Sequence, residues 1–290
     1  MQEKPMRTVT CITLALFAHA AYAHGVHYDD QRRQNQGLPP LKIVLPEPYV
    51  SIEIEDGYRL ISSNGLPQHQ PGMFPNRANP NSIFAQAYNY KVPVIPEFAD
   101  KITPMDGHPF GVALNGVPFD PGTAEYWNRD RQSGWRIEAL TMGPSLGIDA
   151  HNAHVQPTGA YHYHGTPTGL LEAKAVGAQP TLLGYAADGF PIYDNKGFVD
   201  GELITLKSSY RLKSDTRPSG PGGAHDGTYT ADWEFVEKIG NLDECNGFFG
   251  KTLEYPNGTY YYVITPEFPM ISRFYKGTPD PSFFRRRRLE

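Results

Sequence analysis

Short stretches of alternating apolar and polar residues, separated by turn dipeptides, run through most of the chain. Runs of this length with period-two alternation are typical of β-strands. The dipeptides are of the kind that closes tight hairpins: Asp56-Gly57, Asn115-Gly116, Asp188-Gly189, Asp200-Gly201 and Asn257-Gly258. The first is flanked by predicted strands Ser51–Glu55 and Tyr58–Ser62, and the second by Gly111–Leu114 and Val117–Phe119.

Helical patterns are rare. Thr123–Asn128, with Thr123 as its cap, is one candidate, and Gly169–Val176, behind Thr168, is the better one. The sequence therefore predicts an all-β (β-dominated) fold with few short helices. We expect a pseudo-repeated β-sandwich or barrel-like domain with long irregular loops.

The first residues are typical of a secretory signal peptide. A charged start precedes the short apolar run Val9–Phe17, and Ala21-Tyr22-Ala23 provides the small residues of a cleavage site. The run is too short for a membrane span, and no later stretch is apolar enough for one. We therefore expect residues 1–23 to be removed. The mature protein would be periplasmic or secreted, would not span a membrane, and would begin at His24.

Composition divides the rest of the chain. Residues 24–82 are polar, proline-rich and poorly periodic, and we interpret them as an N-terminal arm or edge strands on a main β domain at 83–284. Residues 285–290 form a basic tail, and tails of this kind are usually solvated.

The formal net charge of the chain is −5, and it becomes −6 when the predicted leader is removed. This balance does not suggest a nucleic-acid-binding protein.

Two segments of the chain recur. Gly111–Phe119 aligns with Gly184–Ile192 on the pattern G-x-A-x-[N/D]-G-x-P, and Pro157–Pro167 aligns with Pro256–Pro266 on P-x-G-x-Y-x-Y-x-x-T-P. The hairpin element precedes the tyrosine-rich element both times. We therefore predict two similar β halves.

The tyrosine-rich element of the first half carries histidines. If Tyr161–His164 is a strand, His162 and His164 share one face and the two tyrosines share the other. In the second copy the tyrosines recur, but Tyr261 and Val263 replace the histidines. The tyrosines therefore appear in both halves as a structural feature, whereas the histidines point to a function of the first half alone.

Four histidines lie within fourteen residues, at His151, His154, His162 and His164. A turn at 156–159 can fold the first pair back beside the second. Imidazole suits Zn, Cu, Ni and Fe. We predict a transition-metal site of His154, His162 and His164, with copper favoured over zinc; His151 is either a further ligand, a group behind the ligands or a surface residue.

His24 offers a second route to copper. If it is the first mature residue, its α-amine and imidazole can chelate copper as a histidine brace, with His27 as the nearest companion.

The isolated histidines at 69, 108 and 225 are expected to have no metal-binding role. Cys245 is the lone cysteine of the mature chain, and burial is its expected role. Asp188 is expected to serve a turn.

The motif Ala153-His-Val-Gln-Pro-Thr-Gly-Ala-Tyr-His-Tyr-His-Gly165 resembles the signature of the YHYH domain family. Gly184–Tyr193 and Leu242–Gly247 are similar to its other characteristic stretches, and the resemblance covers roughly residues 110–284. It implies an exported protein without a defined activity. Many members have a histidine at the position of Tyr261 and a second cysteine at the position of Phe274. Their absence here argues against a disulfide and against a metal ligand from the second repeat.

Three functions are compatible with the sequence. The first is an exported metal-handling protein that stores, delivers or senses a metal ion. The second is a secreted metalloenzyme, either oxidative with copper or hydrolytic with zinc, that uses the same histidines. The third is a structural or adhesive surface module. The residues indicate a metal ion as partner, but they name no catalytic residue and no protein partner, and they leave enzymatic activity undecided.

Overall fold

An open eight-stranded sheet lies at the centre of the protein. The computed structural model describes residues 44–141, 143–174 and 179–284. The strands of this sheet, in spatial order, are β15 (Gly247–Gly250), β16 (Thr259–Val263), β10 (Pro191–Tyr193), β9 (Leu182–Ala186), β5 (Gly111–Ala113), β6 (Pro118–Phe119), β8 (Tyr161–Tyr163) and β7 (Ala153–Val155).

Smaller elements surround this sheet. A three-stranded antiparallel sheet contains β1 (Val50–Glu55), β2 (Tyr58–Ser63) and β3 (Tyr88–Pro93). The two-stranded pairs are β4 (Thr103–Pro104) with β17 (Phe274–Tyr275), β11 (Lys196–Val199) with β12 (Glu202–Thr205), and β13 (Tyr210–Leu212) with β14 (Trp233–Phe235). The α-helices are α1 (Gly143–Leu146) and α2 (Thr168–Ala173), and 3-10 turns lie at Trp127–Arg129, Arg131–Ser133, Thr230–Asp232 and Pro281–Phe283.

The predicted β-dominated class is confirmed. The first four turn dipeptides each join adjacent antiparallel strands, whereas Asn257-Gly258 ends a longer loop before β16. The central sheet has two free edges, β15 and β7, so the described residues do not form a closed barrel. The three-stranded sheet contributes Ile61, Tyr90 and Val92 to the same hydrophobic core as the central sheet.

One helix prediction is confirmed and the other is wrong. Helix α2 begins at Thr168, one residue before the predicted start at Gly169, and ends at Ala173; residues 175 and 176 of the predicted span lie outside the described residues. The segment from Thr123 is instead extended, because it pairs with a neighbouring segment: Thr123 Oγ1 donates to the Ile137 carbonyl at 2.6 Å, and Ile137 N–H donates to Glu125. Tertiary pairing overrides a weak helical preference here. The predicted leader and the basic tail lie outside the described residues.

The central sheet has an internal two-fold pseudosymmetry, as the sequence repeats predicted. Strands β5, β6, β7 and β8 take the same relative positions in one half of the sheet as β9, β10, β15 and β16 do in the other. β6 pairs in parallel with β8 through Phe119 and Tyr163, and β10 pairs in parallel with β16 through the equivalent Ile192 and Tyr262.

The two halves meet where β5 and β9 run antiparallel. Their register is itself symmetric: Gly111 lies opposite Ala186, Val112 opposite Tyr185, and Ala113 opposite Gly184. A Cβ on Gly111 would lie 2.5 Å from the Tyr185 carbonyl oxygen, and one on Gly184 would lie 2.2 Å from that of Val112. Each half therefore needs glycine at this crossing because the partner backbone comes too close for a side chain.

A third repeat precedes each tyrosine strand. Asp149-x-x-Asn152 and Asp243-x-x-Asn246 form the same turn, with the Asn in a left-handed conformation (φ 55° and 52°). Each Asp accepts a hydroxyl hydrogen bond from the first tyrosine of the tyrosine strand of its half, namely Tyr161 of β8 and Tyr260 of β16. This turn sets the register of β7 and β15 against their partners, and its D-x-x-N spacing was visible in the sequence.

We expect Gly184→Ala to destabilise the protein by at least about 2 kcal/mol, because the new Cβ meets backbone rather than a movable side chain. Gly122→Ala is the matched control, since its Cβ would meet nothing closer than 3.4 Å. Urea unfolding of both variants measures the difference. Equal stability of the two variants would contradict the close approach of β5 and β9.

Candidate metal centre

Strands β7 and β8 bring three histidines to one face of the central sheet. His154 pairs directly with His162 across the two antiparallel strands, so their side chains emerge on the same face. His164 follows two residues after His162 and returns to that face. The opposite face of the same strands carries Ala153, Val155 and the two tyrosines, all in the main hydrophobic core.

The three imidazoles form a compact triangle. The ring centroids are 4.6–4.7 Å apart in all three pairs. Each ring offers one nitrogen, and these nitrogens all lie within 4.8 Å of one another. Three nitrogens bound to one ion at about 2.0–2.1 Å lie about 3.3–3.6 Å apart, so a small inward movement of the rings is sufficient for shared coordination.

Backbone carbonyls fix two of the rings. His154 Nδ1 lies 3.1 Å from the Leu146 carbonyl oxygen, and His162 Nδ1 lies 3.2 Å from that of Ala160. A carbonyl can only accept, so each Nδ1 carries the proton and the lone pair resides on Nε2. This is the arrangement by which proteins orient histidine ligands toward a metal.

The third ring is fully buried. His164 is 1% exposed, and neither of its ring nitrogens makes a hydrogen bond of normal geometry, although a weaker contact with the Pro121 backbone acts to raise its pKa. Burial is the main cause that lowers the pKa of His164 well below its ordinary value, and the neighbouring His162 and His154 lower it further. Burial also lowers the pKa of His154. Both rings are therefore neutral near pH 7, which is the form that binds metal ions.

The other half of the sheet shows what this position contains without histidines. Phe248, Tyr261 and Val263 occupy the places of His154, His162 and His164. There they pack into a second hydrophobic cluster with Leu182, Tyr193, Leu206 and Leu242. The same backbone thus supports an apolar core in one half and three imidazoles in the other.

The structure does not bring His151 into this triangle. Its ring lies against His69, with centroids 4.1 Å apart, and its nitrogens contact Thr168 Oγ1 at 2.8 Å and the Gln70 carbonyl at 3.0 Å. His69 in turn contacts the Tyr163 hydroxyl at 2.7 Å, on the tyrosine side of β8. His24 lies outside the described residues.

The remaining candidates from the sequence serve the fold. The Asp188 carboxylate, in the second half, accepts from the Tyr262 hydroxyl and the Gly277 N–H, and burial raises its pKa to about 6. His225 binds Asp232 at 2.8 Å in a network that also includes Arg217. Cys245 is fully buried, as predicted, and burial raises the pKa of its thiol to about 12.

The triangle opens on a cavity of about 460 Å³, and His154 and His162 are part of its wall. The buried carboxylate of Asp120 lies there as well and accepts from Gln156 Nε2 at 3.1 Å. Arg136 adds a cationic group. An ion held by the three rings would therefore lie beside a space large enough for a small molecule.

Sequence reasoning did not find the polar groups of this cavity. Asp120 stands directly after β6, at the position where the second half has Tyr193. The replacement of a tyrosine by an aspartate between the two repeats is a pattern that marks Asp120 as a candidate functional residue. Arg136 lies outside both repeats, in a segment joined to the cavity wall by tertiary pairing alone. No local pattern marks it.

Comparison with known protein families gives one match. The family described as YHYH protein matches residues 89–277, which include both hairpins and both tyrosine strands. The chain belongs to the YHYH family. No curated protein and no solved structure matches it significantly. Among the described residues of this YHYH protein, no helix is long and apolar enough to cross a membrane.

The metal-free YHYH protein should lose stability as the pH falls from 7.5 to 5.5. Unfolded histidines take up protons near pH 6.5, whereas burial keeps the folded His164 neutral, so acid favours the unfolded state. His164→Val, which copies Val263 of the other half, should reduce this pH-dependent loss by about 1 kcal/mol. Urea unfolding in the presence of a chelator, at both pH values, measures the change.

The control for this substitution is Val263→Ala, which removes packing at the equivalent position without removing a titrating group. It should lower the stability at both pH values by a similar amount. An unchanged pH dependence in His164→Val would contradict a buried, neutral His164.

Proposed function

We propose that this is an exported protein that retains a transition-metal ion through His154, His162 and His164. The observation that supports this proposal best is the convergence of one nitrogen from each ring to within 4.8 Å. The two Nδ1 hydrogen bonds to backbone carbonyls support it further, since they leave the lone pair of each ring on Nε2. Export is inferred from the predicted leader alone.

The donor set favours a borderline metal. Three neutral imidazoles suit copper, zinc, nickel or iron, whereas calcium and magnesium prefer oxygen ligands. Among divalent ions, copper binds a given nitrogen site most tightly. We therefore favour copper over zinc, as the sequence also suggested.

The burial of the histidine ligands favours storage of a metal ion over its rapid delivery to a partner protein. His162 and His164 are 3% and 1% exposed, so an ion bound there is shielded from exchange with a partner protein. His154, which is only half-buried, provides the route of entry. A slowly exchanging ion is what a storage protein or a resident metal site requires.

The test is a titration of the metal-free protein with copper(II) and zinc(II), with affinity measured by competition against a chromophoric chelator. His162→Tyr with His164→Val copies the residues of the other half, so we expect this variant to fold. Its affinity should fall by at least about tenfold, because two of three imidazoles are lost. His151→Gln is the matched control, because its ring lies outside the triangle, and it should bind as wild type does.

Two results would contradict the proposal. Unchanged affinity in the double variant would place the metal elsewhere, and loss of affinity in His151→Gln would shift the site toward the His69–His151 pair. Elemental analysis of protein purified from its native compartment identifies the metal. Mass spectrometry of the same sample tests export, since a mature chain that begins at His24 is expected.

A metalloenzyme is the second candidate, and the cavity beside the triangle is the observation that favours it. A catalytic ion needs three protein ligands and one position open to substrate. His154 and His162 line the cavity wall, so the open side of a bound ion faces a space of about 460 Å³.

This second candidate is tested by adding azide to the copper(II)-loaded protein. We expect a new azide-to-copper absorption band if a coordination position is open to the cavity. The double histidine variant, incubated with the same copper, should lack the band. If azide does not change the absorption spectrum of the copper-loaded wild type, the enzyme candidate is contradicted and metal storage is retained as the proposed function.

A further inference from the structure

The cavity beside the histidine triangle carries cationic groups that the proposed metal site does not use. Arg136 and Arg131 both line it, together with the carboxylates of Asp120 and Glu125. Apolar groups complete the wall, namely Ala78, Pro80, Leu146, Val155 and Pro157. Such a lining fits a small organic molecule with a charged end and an apolar body.

The Arg136 side chain is held in place by Tyr126, but no carboxylate neutralises its charge among the described residues. Its Nε donates to the Tyr126 hydroxyl at 2.8 Å, and its guanidinium lies 5.2 Å from the centre of that ring. Within the described part of the chain, it makes no ion pair with a carboxylate. Arg217 and Arg273, by contrast, each bind a buried carboxylate, at 2.7 and 2.6 Å.

The Nη1 atom of Arg136 borders a small space beside Gly122, which has no side chain to fill it. A Cβ on Gly122 would lie 3.6 Å from Asp120 Oδ1 and 3.7 Å from Arg136 Nη1, so these two opposite charges border the same space without touching. Asp120 is itself bound to Gln156. The Nη edge is therefore held in place by Tyr126 and can bind a ligand.

The charge balance of the cavity changes when the metal binds. Two arginines and two carboxylates cancel in the metal-free state. Neutral imidazoles add no charge, so a divalent ion makes the site net positive by two. An anion is then favoured in the cavity, and the apolar part of its wall favours an organic carboxylate over inorganic phosphate.

We propose that the cavity binds a small organic monocarboxylate on Arg136 when the histidine triangle holds a divalent metal ion. This inference rests on the proposed function, since the ion supplies the excess positive charge. An arginine fork matches the geometry of a carboxylate and binds it with charge-assisted hydrogen bonds. Binding is reciprocal, so the carboxylate also strengthens retention of the metal.

The experiment uses benzoate as the probe and calorimetry as the readout. Benzoate is titrated into protein loaded with copper(II), or with zinc if zinc is the metal retained, and into the metal-free protein. We expect at least tenfold tighter binding to the loaded protein. Benzamide has the same shape without the charge and should bind at least tenfold more weakly, and inorganic phosphate should also bind more weakly than benzoate.

Arg136→Gln should weaken benzoate binding by about tenfold or more, which is the effect of losing a charge-assisted hydrogen bond. Arg211→Gln, which loses an exposed ion pair on β13, is the matched control and should bind benzoate as wild type does. Gly122→Leu is a second variant, because its side chain fills the gap beside Arg136 without removing a charge. It should retain the metal and lose benzoate.

The outcomes separate the two proposals. Failure of the wild type to bind metal overturns the proposed function and with it this inference. Metal binding with equal benzoate affinity in the loaded and metal-free proteins overturns the inference alone. The inference also fails if benzamide equals benzoate, if phosphate binds more tightly than benzoate, or if Arg136→Gln and Gly122→Leu both bind benzoate normally.

Discussion

Tyrosines on one face of strands β8 and β16 hold the two halves of the central sheet around a single core. Tyr161, Tyr163, Tyr260 and Tyr262 are all buried there, and each hydroxyl has a polar partner on a turn: Asp149, Asn115, Asp243 and Asp188. A buried hydroxyl without a hydrogen bond is costly, so these contacts fix both the strands and the turns beside them. Because side chains alternate along a strand, the tyrosines also determine which residues lie on the opposite face.

That opposite face is where the two halves differ, and the difference costs stability. In the second half, Phe248, Tyr261 and Val263 gain hydrophobic burial. In the first half, three imidazoles occupy the same places, and one of them has no hydrogen bond of normal geometry for either ring nitrogen. Buried polar groups without partners are rare in native proteins, and departures from good packing concentrate at functional sites. The pseudosymmetry therefore provides an internal reference: the fold can form this face without histidines, so their presence requires a separate reason.

The sequence was sufficient for the features that depend on local patterns. Turn dipeptides gave the hairpins, two repeats gave the pseudosymmetry, and strand alternation placed His162 and His164 on one face. It failed where tertiary pairing decides, as at Thr123–Tyr126, which pairs with the Arg136–Ile137 segment and forms no helix. His151 is separated from His154 by the left-handed Asn152, which turns the chain before β7, so sequence proximity to the other histidines was misleading. Arg136 and the cavity depend on contacts between segments that no single-chain pattern records.

The chemistry of the histidine triangle depends on the different surroundings of its three rings. His164 lies fully inside the protein, with the cation of Arg273 near enough to lower its pKa further, whereas His154 and His162 border the cavity. Desolvation disfavours a proton on His154 and His164 and so leaves their lone pairs available. A metal ion differs from a proton in that several lone pairs can share it, and three imidazoles together replace much of its hydration. The ion would then be held from the protein side, and its remaining coordination would be directed into the cavity, where water or a small ligand can reach it.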